Sequence, residues 1–281
     1  MRVINPFDHS YNCFENEFAQ NITILVDGGI LTHPTSDAIA WLIEPNSVLN
    51  SYFGNQFDFF DVLKQAIQTG KQGFKRLYTS HKFFSDLPNV VVYENPPIPS
   101  WVAIEDCRIY EKSQDLVFVT SSKSFTPSQS KRIEVAKYLL SMGVPVYGRG
   151  FSDPRIREVE KKVSVLSPSR FCVVIENEIL DGWHTEKLTD CFRTGTIPLY
   201  VGDPSIGKMY DLKGMLVFHT VEDMIQSSIF SDIVNGNRTK DLYESMIENA
   251  RENMHRFNQK DYTAKGRLNK IVEDLRSDLN A

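Results

Sequence analysis

Apolar runs of strand length alternate with amphipathic stretches along most of this chain. In the first part, Arg2–Ile4, Ile22–Val26, Ala38–Ile43 and Val90–Tyr93 read as strands, and Phe60–Gln68 reads as a helix that stops near Gly70. Asn95, Pro96, Pro97, Ile98, Pro99 and Ser100 then make a stiff, extended segment that cannot be helix, so a linker is expected between about residues 95 and 114. The alternation resumes with strand 115–120, helix 129–142, strand 144–147, strand 171–175, helix 185–194, strand 197–201, strand 215–219 and helix 221–228. From about residue 241 the chain is highly charged, with Leu242, Met246, Ala250 and Met254 on one helical face. This pattern predicts α/β architecture in three pieces: an N-terminal domain over 1–100, a second domain over 101–255 and a helical segment over 256–281.

The densest signal lies between Phe171 and Pro204. Phe171, Cys172, Val173, Val174 and Ile175 form a run suited to a strand buried on both faces, ending at Glu176 and Asn177. Thr185, Glu186 and Lys187 stand at a helix start, and Leu188, Cys191 and Phe192 follow at the spacing of one buried face before Gly195 stops the helix. Ile197–Val201 is the next strand, closed by Gly202, Asp203 and Pro204. Strand ends that meet a helix N-terminus are where open α/β sheets hold phosphorylated ligands, so a ligand site is expected between Asn177 and Lys187. A lysine in the first helical turn opposes the helix dipole by roughly 0.3–1 kcal/mol when exposed, and its placement at Lys187 implies a counter-charge close by.

Glu176-Asn177, seven further residues, Thr185-Glu186-Lys187, then Gly195-Thr196-Ile197-Pro198 and Gly202 resemble the donor-binding signature of the α-1,3-fucosyltransferases, glycosyltransferase family 10, in its bacterial form. Fainter likenesses lie in the Ser-rich loop and Arg132 between Ser121 and Gly148, and in Trp41-Leu42-Ile43-Glu44-Pro45-Asn46, which is one residue shorter than the family's strand-end motif. The resemblance implies the GT-B fold, two Rossmann-like domains facing across a cleft, and inverting transfer of fucose from GDP-fucose to a glycan hydroxyl. It assigns Asn177 to the nucleotide-sugar, Glu186 to the ribose hydroxyls, Lys187 to the diphosphate and Glu44 to the catalytic base, and it aligns Arg132 with a donor-binding arginine. Trp183 stands where the family usually has tyrosine, keeping an aromatic face for the donor without the hydroxyl. Glu94 is a second candidate base, Lys123, Arg149 and Arg170 are further candidate phosphate cations, and His184 could serve as an imidazolium beside the diphosphate.

Composition narrows the choice of chemistry. No two aspartates are separated by a single residue, so the D-x-D metal clamp of other glycosyltransferases is missing, no metal or other cofactor is expected, and side chains must balance the leaving diphosphate. A formal net charge of −5 over 281 residues argues against nucleic acid as a partner. Apolar runs are well short of the roughly 20 residues that cross a bilayer, and no signal peptide is visible, so a cytoplasmic enzyme without a transmembrane segment is expected. Cys13, Cys107, Cys172 and Cys191 lack metal-ligand spacing and read as reduced thiols. The acceptor is expected to be a glycan or a lipid-linked oligosaccharide. Two other readings stay open: the same scaffold with another nucleotide-sugar donor, and a non-catalytic carbohydrate- or nucleotide-binding module.

Overall fold

Each half of the chain is organised by one all-parallel five-stranded sheet. The structure is a computed structural model and describes residues 2–4, 23–33, 35–93, 100–259 and 271–274. It divides into two compact units, Met1–Pro99 with Tyr262–Ala281, and Ser100–Asp261.

In the first unit, β1 (Arg2–Ile4), β2 (Thr23–Val26), β3 (Ala38–Leu42), β4 (Arg76–Thr79) and β5 (Val90–Val92) lie side by side in chain order. Helices α1 (Gly29–Thr32), α2 (Asn46–Tyr52) and α3 (Phe59–Gln68) connect them. The central strand β3 is buried throughout, and its alternation explains both layers of core. Ala38, Ala40 and Leu42 join Phe59, Phe60, Leu63 and Ile67 of α3 on one face, while Ile39, Trp41 and Ile43 join Ile24, Val26, Tyr78 and Ile271 on the other. Asp58 caps α3 by accepting from the Asp61 N–H, which fixes where the helix begins. Strand β4 has no counterpart in the sequence reading, because its four residues begin at a polar Arg76 and end at Thr79 without a long apolar run.

The second unit holds β6 (Gln114–Ser121), β7 (Val146–Arg149), β8 (Ser169–Ile175), β9 (Ile197–Val201) and β10 (Leu216–Phe218) in the order β10-β9-β8-β6-β7. From β6 the chain crosses outward to β7, then returns to place β8 on the other side of β6. The order reverses between β6 and β8, and the crevice at the carboxyl ends of those two strands is the ligand position such a sheet provides. The helices are α4 (Pro127–Ser141), α5 (Val163–Leu166), α6 (Glu186–Thr194), α7 (Val221–Gln226), α8 (Ser228–Val234) and α9 (Thr239–Gln259). Thr126 and Gln129 form a reciprocal capping box with Pro127 in the first turn of α4, and Gly195 ends α6 in the left-handed conformation at φ 64°. The helix expected over 221–228 is two helices, because extended Ser227 caps α8 by accepting from the Phe230 N–H. The C-terminal piece expected from 256 is divided as well: α9 continues to Gln259 within the second unit, whereas Tyr262–Ala281 belongs with the first. Among the described residues, no helix is long and apolar enough to cross a membrane.

Candidate active site

At the reversal of the second sheet, two cations meet two consecutive residues. Strand β8 delivers Glu176 and Asn177 past its carboxyl end. On the β6 side, the Arg132 guanidinium donates from Nη1 to Asn177 Oδ1 at 2.9 Å, and the Thr126 hydroxyl donates to the Asn177 carbonyl at 2.6 Å. Arg132 lies in the second turn of α4 and is 3 % exposed, so its guanidinium is an interior group and not a solvated one. On the α6 side, the buried carboxylate of Glu176 accepts from the Thr185 N–H and hydroxyl, each at 2.7 Å, and pairs with Lys187 Nζ at 3.4 Å. The Lys187 ammonium also donates to the Thr185 hydroxyl at 2.9 Å. A carboxylate out of water is costly unless paired and hydrogen-bonded, and Glu176 meets both conditions while locking the cap of α6.

Glu186 opens α6 and is held by Lys162, whose Nζ lies 3.1 Å from Glu186 Oε1 and 3.0 Å from Asp190 Oδ2. Burial would raise the Glu186 pKa, but Lys162 first and then Lys187 outweigh it and bring the carboxyl down to about 2. Burial likewise opposes the charge on Lys162, and its two carboxylates overcome that and hold it above the ordinary lysine value. Glu186 is therefore an ionised acceptor at neutral pH, able to take hydrogen bonds from paired hydroxyls.

In the first unit Glu44 sits just beyond the carboxyl end of the central strand, and its backbone is clamped from two sides. Asp27 Oδ1 accepts from the N–H groups of Ile43 at 2.7 Å and Glu44 at 3.0 Å. Facing them, His81 Nε2 lies 3.2 Å from the Ile43 carbonyl and 3.1 Å from the Glu44 carbonyl, which assigns the proton to that nitrogen. Burial pushes the His81 pKa down to about 4 against the pull of these carbonyls, so the ring is neutral. Glu44 is half-buried, with Oε2 withdrawn from solvent, and Pro45, the N-cap of α2, follows it directly.

The remaining candidates have different surroundings. Trp183 is 1 % exposed, so its ring is packed in the interior. His184 is buried edge-on to Tyr210 with ring centroids 5.6 Å apart, and burial takes its pKa down to about 4; it is a neutral imidazole rather than an imidazolium. Arg170 stands at the amino end of β8, the opposite end from Asn177, paired with Asp115 at 2.8 Å. Lys123 is exposed in the loop after β6, Arg149 is exposed at the carboxyl end of β7, and Glu94 lies outside the described residues. Sequence reasoning gave no role to Lys162, Asp190, Asp27 or His81, and quoted Glu176 without one. Only Asp27 carried a usable signal, an acidic residue at a strand end before Gly28-Gly29. Among the described residues, no three His, Cys, Asp or Glu side chains gather into a group that could hold a metal ion.

No protein-family model and no curated protein sequence matches the chain. Solved structures do. TarM superposes with TM-score 0.58 at 13 % identity, covering 90 % of this chain and 54 % of that one. An α,α-trehalose 6-phosphate synthase from Burkholderia multivorans gives TM-score 0.53 at 11 % identity, over 92 % of this chain and 70 % of that one. The fold is the two-Rossmann GT-B type. An α1,3-fucosyltransferase solved with GDP-fucose also matches, at 24 % identity and TM-score 0.34, covering 53 % of this chain and 40 % of that one. The chain thus spans about half the length of TarM and less of that fucosyltransferase.

Proposed function

We propose that this GT-B chain is an inverting glycosyltransferase whose second unit binds a nucleoside diphosphate sugar at the carboxyl ends of β6 and β8. The observation that carries the reading is the convergence of Arg132 and Lys187 on Asn177 and Glu176, where the sheet order reverses. A guanidinium and an ammonium on either side of that step can neutralise a departing diphosphate without a metal. Glu186, kept ionised by Lys162, takes the ribose hydroxyls. Glu44 is the proposed base: it removes the acceptor hydroxyl proton as the new C–O bond forms and the anomeric bond to the diphosphate breaks. The donor that the sequence resemblance favours is GDP-fucose, and the acceptor is a glycan or lipid-linked oligosaccharide.

Calorimetry with GDP, UDP, dTDP and CMP tests the donor, with GDP expected to bind most tightly; absence of any preference for GDP removes the fucosyl assignment. Donor turnover by Glu44→Gln tests the base and is expected to fall about 10²–10⁴-fold. Unchanged turnover would take Glu44 out of the mechanism.

A further inference from the structure

We propose that Trp101 is the stacking platform for the guanine base of the donor nucleotide, with Arg149 reading the base edge; the inference rests on the nucleotide-binding reading of the second unit. The chain has three tryptophans. Trp41 and Trp183 are 0 % and 1 % exposed, whereas Trp101 is 48 % exposed. Trp101 is therefore the tryptophan whose ring has surface available to a ligand, and an indole offers a base a flat face to stack on.

The ring is displayed on a fixed mount. Asp190 Oδ1, at the end of a fully buried side chain, accepts from the Ser100 hydroxyl and from the N–H groups of Trp101 at 3.0 Å and Val102 at 3.1 Å. Arg193 donates to the Val102 carbonyl from the same helix face. Three consecutive residues are thereby tied to α6, which fixes the backbone that carries the indole.

Its neighbours point to a nucleotide. Lys162 Nζ lies over the ring, 5.5 Å from its centroid, and 3.1 Å from Glu186 Oε1, so one ammonium touches both the indole and the carboxylate proposed for the ribose. Base and ribose are joined by a single bond, so a base platform has to stand beside the ribose acceptor. The Arg149 guanidinium carbon is 5.8 Å from the same centroid, at the carboxyl end of β7. A guanidinium fork matches the O6 and N7 acceptors of guanine in two parallel hydrogen bonds, and a purine covers more of an indole than a pyrimidine does.

The test uses the full chain and reads acrylamide quenching of tryptophan emission, to which only Trp101 is open. GDP is expected to shield the accessible fraction, and inorganic pyrophosphate, which has no base, is expected to bind by calorimetry without shielding it. Trp101→Ala should weaken GDP binding roughly tenfold while leaving pyrophosphate affinity unchanged, and Trp101→Phe should restore most of the loss. Arg149→Gln should narrow the preference for GDP over UDP. GDP binding with the indole still open to quencher, or with full affinity in Trp101→Ala, overturns the platform and leaves the phosphate site standing. If neither GDP nor pyrophosphate binds, the nucleotide reading itself fails and the platform with it.

Discussion

Lys187 shows how a residue acquires a reason from its neighbours. Its position in the first turn of α6 opposes the helix dipole, and part of the counter-charge is the protein's own: Glu176 Oε2 at 3.4 Å. The ammonium has three donors, with Thr185 and Glu176 engaging two, and the side chain keeps some contact with solvent. Lys187→Ala is expected to weaken GDP binding by about 1.5–3 kcal/mol, the scale of hydrogen bonds to a charged group. The same variant strands a buried carboxylate, so its thermal midpoint should drop too; undiminished GDP affinity would mean that Lys187 never meets the phosphates. Titration gives a second residue-scale expectation. His81 and His184 have folded pKa values near 4, below the ordinary 6.5, so the stability they contribute is complete above pH 6.5 and is lost as pH falls toward 4. Glu186, lowered from 4.5 to about 2, contributes above pH 4.5 and loses its share as pH falls through 2. The thermal midpoint should therefore hold near neutrality, decline below pH 6.5 and decline faster below 4.5. A midpoint constant down to pH 4.5 would contradict the neutral, buried state of both rings.

Elements were legible where periodicity was strong. Leu188, Cys191 and Phe192 fall on one face, Thr185 caps and Gly195 stops, so α6 was visible to within a residue at its start. The apolar core of β8 was equally clear, whereas β4 and the break between α7 and α8 were not, because four-residue strands and single capping serines leave little pattern. Gly202 belongs to this scale, since its meaning lies in how β9 meets β8. A Cβ there would come within 2.4 Å of the Tyr200 hydroxyl and 2.6 Å of Glu176 Cγ. Gly202→Ala is expected to cost about 1–3 kcal/mol of stability and to weaken GDP binding with it, because the displaced atom belongs to the Glu176 side chain, whose carboxylate holds the Thr185 cap of α6. Thermal melts and calorimetry on one preparation check both, and a loss of stability with full affinity would separate Gly202 from the site.

At the scale of the molecule, the chain returns at its end to the unit where it began. Ile271 is fully buried among Ile24, Val26, Ile39, Trp41, Ile43 and Tyr78, covering the face of β3 that α3 does not reach. Ile271→Ala should cost the first unit about 2–5 kcal/mol. Scanning calorimetry of the full chain should show that loss while GDP affinity in the second unit stays intact. An unaltered scan would remove the C-terminal segment from that core. The local grammar of the chain was readable from residue order: alternating strands and helices, the strand-turn-helix around Glu176 and Lys187, and Glu44 at a strand end, because each depends on neighbours a few positions away. The strand order that reverses between β6 and β8, the burial of Trp183 and His184, the pairing of Lys162 with Glu186, and the support of Glu44 by Asp27 and His81 depend on residues from 16 to 38 positions apart or more meeting in space. Burial and pairing are properties of the packed chain, and hydrophobic periodicity along a segment carries no record of which distant charge will face it.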